Sequence, residues 1–406
     1  MTRTYFILCF LFWSYFGFAQ LNGFQVKNGK TEIPFRFQNN FILVDVLFNN
    51  TFPLTFIFDT GSENTILLKK TYAELMGIKY LRDYKVYGAD LQRELLVHLA
   101  NGIDLDLAKI SANNSPILIL NEDYFRFEKY TGLKIHGILG MDLFKLTVIQ
   151  IDYERQKIIL HSPEDFKAPS NKFVPFPIEI FHNKYYLSTK GTIQNNESVD
   201  LTLLLDTGAN ISLLLHNESD STIMLPDKLI PGKLGDGLGG FIEGYMGRTQ
   251  SLSIGDFTFS SIVTNFQELP PDLDPKTINN RNGILGNELL SRFNVIFAPF
   301  YNTIYLKPEK NYNRGFKFDR SGIVMVASGL NLERFTVIDV IPNSPADRAG
   351  LRKDDQIIRV NGLPTKLSSM QSITSKFQKK IGKKFKLVVF GDGYKKRFSF
   401  RLEELI

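Results

Sequence analysis

Two aspartates each end a short apolar run and open a tight turn, in Phe56-Ile57-Phe58-Asp59-Thr60-Gly61-Ser62 and in Leu203-Leu204-Leu205-Asp206-Thr207-Gly208-Ala209. A carboxylate at the end of a buried strand is unfavourable unless backbone N–H groups of the turn donate to it or it shares a proton with a partner. Glycine lets the turn backbone approach closely, and threonine brings a hydroxyl that can brace an opposite unit. Two such turns meeting on a pseudo-twofold axis set two carboxyls where like charges cannot both ionise easily, so the pair holds one proton. One carboxyl can then take a proton from water while the other donates to a carbonyl oxygen. That is amide hydrolysis with no metal and no covalent intermediate.

A single Asp-Thr-Gly arises by chance in roughly one chain in ten of this length, so one copy would mean little. Here each copy is followed by a second shared run, Gly137-Ile138-Leu139-Gly140 after the first and Gly283-Ile284-Leu285-Gly286 after the second, at nearly the same interval of about 147 residues. A fixed period carrying two motifs marks a duplicated unit that brings one aspartate per copy.

The elements that must hold these turns read as β-structure. Phe41 to Phe48 and Leu54 to Phe58 are rich in β-branched and aromatic residues, and Asn49-Asn50 between them signals a hairpin feeding Asp59. Thr71 to Met76 reads as a short helix ending at Gly77, and Leu143 to Asp152 with Lys157 to Leu160 closes the first unit as a second hairpin. The second unit repeats this plan, with Tyr185 to Ile193 and Val199 to Leu205 around Asn195-Asn196, then Phe293 to Phe297 with Thr303 to Leu306. The segment from Gly235 to Gly247 holds six glycines in thirteen residues, a composition expected to be mobile, and its stiffer counterpart runs from Tyr87 to Gln92.

The chain has 406 residues, 43% hydrophobic and 22% charged, which is enough for two or three domains, each with its own core. The net charge of +6 is modest, and the basic clusters near Lys379-Lys380 and Lys395-Lys396-Arg397 lack interleaved aromatics. They read as solvated faces, and no nucleic-acid partner is expected. Met1 to Ala19 has a basic start, a short apolar run from Tyr5 to Phe18, and small residues Gly17 and Ala19 before the cut. It reads as a cleaved secretory leader, which makes the protein secreted or periplasmic, with no transmembrane segment in the mature chain. Cys9, the one cysteine, lies inside that leader, so the processed chain has neither disulfides nor a thiol nucleophile. His98, His136, His161, His182 and His216 show no metal-ligand spacing and read as surface or packing residues; no metal and no cofactor is expected.

The paired turns, each with its later Ile-Leu-Gly, resemble the two halves of an aspartic protease of the retropepsin-like or pepsin-like kind, over about residues 30 to 310. The resemblance implies two six-stranded β lobes, a cleft between them and flaps above it. It makes Asp59 and Asp206 the catalytic pair and Thr60 and Thr207 cross-bracing hydroxyls. Gly61, Ser62, Gly208 and Ala209 complete the turns, and Ile138 to Gly140 and Ile284 to Gly286 support them from behind. Tyr87 and Gly88 in the first lobe, and Gly239 and Gly240 in the second, fall at the flaps. Ser62 can donate to its aspartate whereas Ala209 cannot, so Asp59 is expected to keep its charge and Asp206 to carry the shared proton. Glu63 adds a negative charge beside the site.

After Pro308 the composition changes. Phe335 to Ile341 reads as a strand, and Ser344-Pro345-Ala346 caps a short helix ended by Gly350. Asn361-Gly362 is a strong turn, and a helix from Ser368 or Ser369 carries Met370, Ile373, Phe377 and Ile381 on one face. With Ser321-Gly322-Ile323 these runs resemble a bacterial PDZ domain. The resemblance implies capture of an extended peptide beside the Ser369 to Ile381 helix, with Ser321, Gly322 and Ile323 as the loop for a terminal carboxylate. Asp354 stands where that family usually has glycine.

The sequence therefore predicts a mainly β protein: a leader (1–19), two pseudo-twofold-related aspartic-protease β lobes (20–165 and 166–310) and a C-terminal α+β PDZ domain (311–406). Its expected function is that of an aspartic endopeptidase acting on polypeptide, with a peptide ligand for the PDZ domain. A monomer suffices, since both aspartates lie in one chain. The rival expectation is a peptide-binding or envelope scaffold protein with a protease-like body that does not cut.

Overall fold

The computed structural model describes residues 23–26, 29–88, 94–124, 126–194, 197–237, 240–270, 274, 278–279 and 281–406. The expected leader at 1–19, the Asn195-Asn196 turn and Gly239 lie outside them. Among the described residues no helix is long and apolar enough to cross a membrane.

The first lobe is built on strands whose alternation is legible residue by residue. In Phe41–Phe48, Ile42, Val44, Val46 and Phe48 are buried while Asp45 and Leu47 face solvent. Asn49 and Asn50 turn the chain with φ of +51° and +53°, a left-handed pair closed by Thr51 N–H donating to Phe48 O at 3.1 Å, in a three-residue loop before Phe52. The returning strand Phe52–Phe58 delivers Asp59 at its end, and Gly137–Leu139 lies parallel beside it, with Leu139 opposite Phe58. Ile66–Leu67, Ile110–Leu120 and Glu94–Leu107 continue the sheet, which closes into a six-stranded barrel where Leu47 and Phe48 meet Asp106 and Leu105.

The second lobe repeats the ring through Lys184–Thr192, Ser198–Asp206, Gly283–Gly286, Leu213–His216, Phe257–Gln267 and Gly240–Ile254. It closes where Lys190 to Thr192 pair with Ser251 to Ser253. The repeat extends to single hydrogen bonds. His136 Nδ1 accepts from Thr55 N–H at 3.0 Å in the first lobe, and Asn282 Oδ1 accepts from Thr202 N–H at 2.8 Å in the second.

A third sheet joins the lobes, in the order Lys30–Pro34, Lys157–His161, Val148–Asp152, Phe293–Ala298, Thr303–Pro308, Val174–Pro177. Each lobe contributes three strands. The central pair is antiparallel, with Ile149 opposite Phe297 and Ile151 opposite Val295, so the pseudo-twofold axis runs through their shared edge. Phe58, Phe144, Leu205, Phe293 and Phe297 join one apolar core that spans both lobes. Burial on both sides of this sheet ties the lobes rigidly, which is what a site shared between them requires.

The PDZ domain has its own sheet and core, with Phe335, Val337, Ile373, Phe377 and Phe385 fully buried. Its helix Met370–Phe377 is capped by Ser369, whose hydroxyl accepts from Ser372 N–H at 3.2 Å. Met370, Ile373 and Phe377 are buried as their spacing predicts. Ile381, expected on the same face, is 57% exposed because the helix ends at Phe377. Asp354 takes the left-handed φ of +72° that glycine would adopt without strain.

The C-terminal domain is clamped to the two-lobed body. Phe316 packs into the body's core with Arg292 over its ring at 3.7 Å. Near the C-terminus, Glu404 accepts from Arg248 Nη2 of the second lobe at 3.1 Å and from Arg320 Nε and Nη2 at 3.0 and 2.6 Å. Burial alone would raise the Glu404 carboxyl, but the hydrogen bonds from Arg320 and Arg248 hold it below the usual range. Glu404→Ala removes the one carboxylate shared by two partly buried guanidiniums, and is expected to destabilise the domain junction by about 1–3 kcal/mol. Limited proteolysis should then cut the segment around residues 309–320 faster than in the parent, and an unchanged rate would show that the clamp is redundant.

Candidate active site

The two Asp-Thr-Gly turns meet on the axis of the interlobe sheet. Thr60 N–H donates to Thr207 Oγ1 at 3.0 Å and Thr207 N–H donates to Thr60 Oγ1 at 3.0 Å. Each hydroxyl in turn donates across the axis, Thr60 to Leu205 O at 2.7 Å and Thr207 to Phe58 O at 2.8 Å. Both threonines are fully buried, so all four bonds are shielded from water and fix one lobe on the other. The cross-brace expected of Thr60 and Thr207 is present in both directions.

Within each turn the carboxylate accepts from the next two N–H groups. Asp59 Oδ1 takes Gly61 N–H at 2.8 Å and Ser62 N–H at 3.1 Å, and Asp206 Oδ1 takes Gly208 N–H at 2.7 Å and Ala209 N–H at 2.9 Å. The glycines stand against the opposite carboxyl. A Cβ on Gly61 would fall inside van der Waals contact of Asp206 Cγ, and one on Gly208 inside that of Asp59 Cγ. Behind the turns, Gly140 N–H donates to Thr65 Oγ1 at 3.1 Å and Gly286 N–H to Ser212 O at 3.0 Å, so the Ile-Leu-Gly runs buttress the strands carrying the aspartates.

Asp59 and Asp206 stand within side-chain hydrogen-bonding reach of each other. Burial is the largest influence on both and raises both carboxyls, although each residue keeps part of its surface open to solvent. The charge of Asp206 and the hydrogen bond between them push Asp59 further, well above the usual carboxylate range. For Asp206 that bond, two backbone N–H groups and the charge of Arg281 oppose the rise. Both carboxyls are raised, Asp59 the further of the two, so the pair is disposed to hold one proton between them.

The donor on which the expectation for Asp59 rested is engaged elsewhere. The Ser62 hydroxyl donates to Asn64 O at 2.8 Å instead of to Asp59, so it gives Asp59 no extra donor. Arg281, which sequence reading passed over, adds a smaller pull that lowers Asp206. Glu63 is not an isolated charge either, since His182 Nδ1 lies 3.3 Å from its carboxylate.

The flap positions lie at hairpin ends. Tyr80–Tyr87 pairs with Glu94–Leu107, and Gly88 follows the first strand. Ile230–Gly237 pairs with Gly240–Ile254 with an irregularity between Lys233 and Gly235. The glycine-rich segment is thus two arms of a hairpin, with backbone pairing that its composition did not suggest. Gly240 opens the returning arm.

The PDZ loop departs from its expected role. Ser321 N–H and Gly322 N–H donate to Asp319 Oδ1 at 2.8 and 2.7 Å, the Ser321 hydroxyl donates to the same oxygen at 2.8 Å, and Ile323 N–H donates to Ser321 Oγ at 3.2 Å. The donors assigned to a terminal carboxylate are taken by a carboxylate of the chain itself. At the other end of the groove, Gly132, which ends the first-lobe helix Phe127–Thr131, packs against Met370 and Ala327.

A family model described as aspartyl protease matches residues 44–143 and 189–289, one segment in each lobe. A family model described as PDZ domain matches residues 336–389. No curated protein matches the chain.

Proposed function

With both halves of an aspartyl protease body in one polypeptide and a PDZ domain behind them, the chain is one that we propose works as an endopeptidase, hydrolysing peptide bonds between its two lobes. The observation that carries the reading is the pair Asp59 and Asp206, brought from duplicated turns to hydrogen-bonding reach, where a shared proton is favoured. Asp206, ionised, takes a proton from water as the water oxygen attacks the peptide carbonyl carbon. Asp59, neutral, gives its proton to the carbonyl oxygen. As the C–N bond of the tetrahedral intermediate breaks, Asp206 passes its proton to the amine nitrogen and Asp59 recovers one from a hydroxyl of the intermediate. The pair ends as it began. Thr60, Thr207 and the turn N–H groups keep the carboxyls in place throughout, and the two hairpins flank the substrate.

One copy of the chain supplies both aspartates, so the active form in this reading is a monomer. The leader-like start supports work outside the cytoplasm, in the periplasm or the medium. The PDZ domain is read as a peptide-binding module whose groove strand Ile323–Ser328 is covered in this structure by the first-lobe helix Phe127–Thr131, so peptide entry requires that contact to give way. Recognition of a free C-terminus is set aside, because Asp319 already occupies the loop.

The test is cleavage of a peptide library by the intact protein, with and without a statine-type inhibitor, over a dilution series. The reading expects inhibitor-sensitive cleavage whose rate is first order in protein. Binding without cleavage would favour the scaffold alternative, and a second-order rate would mean that the lobes pair between chains.

A further inference from the structure

The barrel registers make the two lobes superimposable position by position, and this exposes a difference on the face beside the aspartates. Leu43 lies opposite Ile57 as Tyr186 lies opposite Leu204, and Ile66 opposite Leu118 as Leu214 opposite Asn265. Carried along these strands, Phe41, Leu43, Leu68, Leu118, Leu120 and Ile135 of the first lobe correspond to Lys184, Tyr186, His216, Asn265, Gln267 and Arg281 of the second. Nearly all of the first set belongs to one apolar cluster, with Leu118 packed against it. The second set is polar at every position and carries two cations.

This polar face is only partly satisfied internally: the Tyr186 hydroxyl and the Arg281 side chain lie close enough to interact, but without a well-formed hydrogen bond. Among the described residues seven buried side-chain polar atoms lack a partner within hydrogen-bond distance, and five of them belong to Tyr186, His216, Asn217 and Arg281. Tyr186 is 2% exposed and His216 0%, so these atoms have no access to bulk water in compensation. Burial pushes the His216 imidazole down to about 3, with the charge of Arg281 adding to the effect, so the ring stays neutral. The ammonium of Lys184 is pushed down by burial and by Arg281, while Glu63, Asp206 and Asp59 oppose the change. The face therefore borders the aspartates, and its two cations repel each other.

We infer that Arg281 and Lys184 form a carboxylate-binding subsite on the second-lobe side of the dyad, where the first lobe has only buried apolar side chains. A guanidinium held out of water with a free N–H is a strong partner for a carboxylate, and a second cation beside it adds to the field. The preferred substrate thus presents a carboxylate on the second-lobe side of the scissile bond. That carboxylate belongs either to an acidic side chain or to the end of a short peptide.

The inference rests on the endopeptidase reading, and its test keeps the two apart. Peptides identical except for Glu, Gln or Leu at one position next to the scissile bond, each with a free or amidated C-terminus, are compared as kcat/KM ratios. They are also titrated against Asp59→Asn, which binds without cutting. The parent should prefer Glu to Gln by at least about tenfold when the side chain is the source, or free to amidated ends by as much when the terminus is. Arg281→Met should bring that ratio near one and Lys184→Met should lower it partway. A change in dyad ionisation alone cancels from such ratios. Thermal melting confirms that each variant is folded. No preference in the parent for either carboxylate, or a preference untouched in a folded Arg281→Met, overturns the subsite. A binding preference without any cleavage overturns the endopeptidase reading and leaves the subsite standing.

Discussion

Asp59→Asn is expected to lower peptide cleavage by about a thousandfold or more while making the protein more stable at neutral pH. The two effects have one origin. Asparagine is nearly isosteric with the neutral acid but has no proton to give to a carbonyl oxygen. For stability, the folded state raises the Asp59 carboxyl, chiefly by burial and then by the neighbouring charge of Asp206. A carboxyl whose folded value lies above its unfolded one contributes stability that is complete below the unfolded value, about 3.9, and lost as pH rises through the folded one. Asparagine keeps the neutral form at every pH. Melting curves of parent and variant should therefore coincide in acid and separate above it, with the variant higher at pH 7 to 8. A variant less stable than the parent at neutral pH would show that the carboxyl is not strained by its surroundings. The parent's pH–rate profile follows from the same pair. Activity falls on the acid side as Asp206 takes up a proton and on the alkaline side as Asp59 loses its own. The raised Asp59 carries the alkaline limb above the range of an ordinary aspartate.

How much of this was legible beforehand depended on how locally each feature is encoded. The duplicated turns were readable because chemistry fixes their residues: an acid, a hydroxyl that reaches across, a glycine with no Cβ to collide. The strands before them were readable from alternation, as in Ile42, Val44, Val46 and Phe48. The Ser62 hydroxyl was misread because it has two acceptors in reach, and sequence does not rank Asn64 O against Asp59. The Ser321-Gly322-Ile323 loop was misread for a similar reason, since Asp319 stands two residues upstream in position to take its N–H groups. Arg281, Lys184 and His216 were missed because the barrel register alone brings them together. A signal was available: Ile135 and Arg281 occupy the same place before the two Gly-Ile-Leu-Gly runs. Aligning the halves for their differences, and not only for their shared motifs, would have drawn it out.

Gly208→Ala is expected to cost about 1–3 kcal/mol of stability and to reduce cleavage by about a hundredfold or more, although it removes no hydrogen-bonding group. The added methyl would lie within contact distance of Asp59 Cγ and both carboxyl oxygens, in the opposite lobe. Gly208 does not have a left-handed φ, so backbone strain is not the cause. The lobes must instead move apart at the one place where four buried bonds between Thr60, Thr207, Leu205 and Phe58 hold them together. Separation has a signature that lost activity alone lacks. Two carboxyls coupled at close range titrate far apart, and the coupling weakens as they are parted. The pH–rate profile of residual activity in Gly208→Ala should be narrower than that of the parent, its alkaline limb moving down towards the acid one. Gly61→Ala, placed against Asp206 by the same geometry, should narrow it as well. If both variants keep the parent's width and rate, the close approach of each turn to the opposite aspartate is incidental, and the shared proton must be held by something other than their contact.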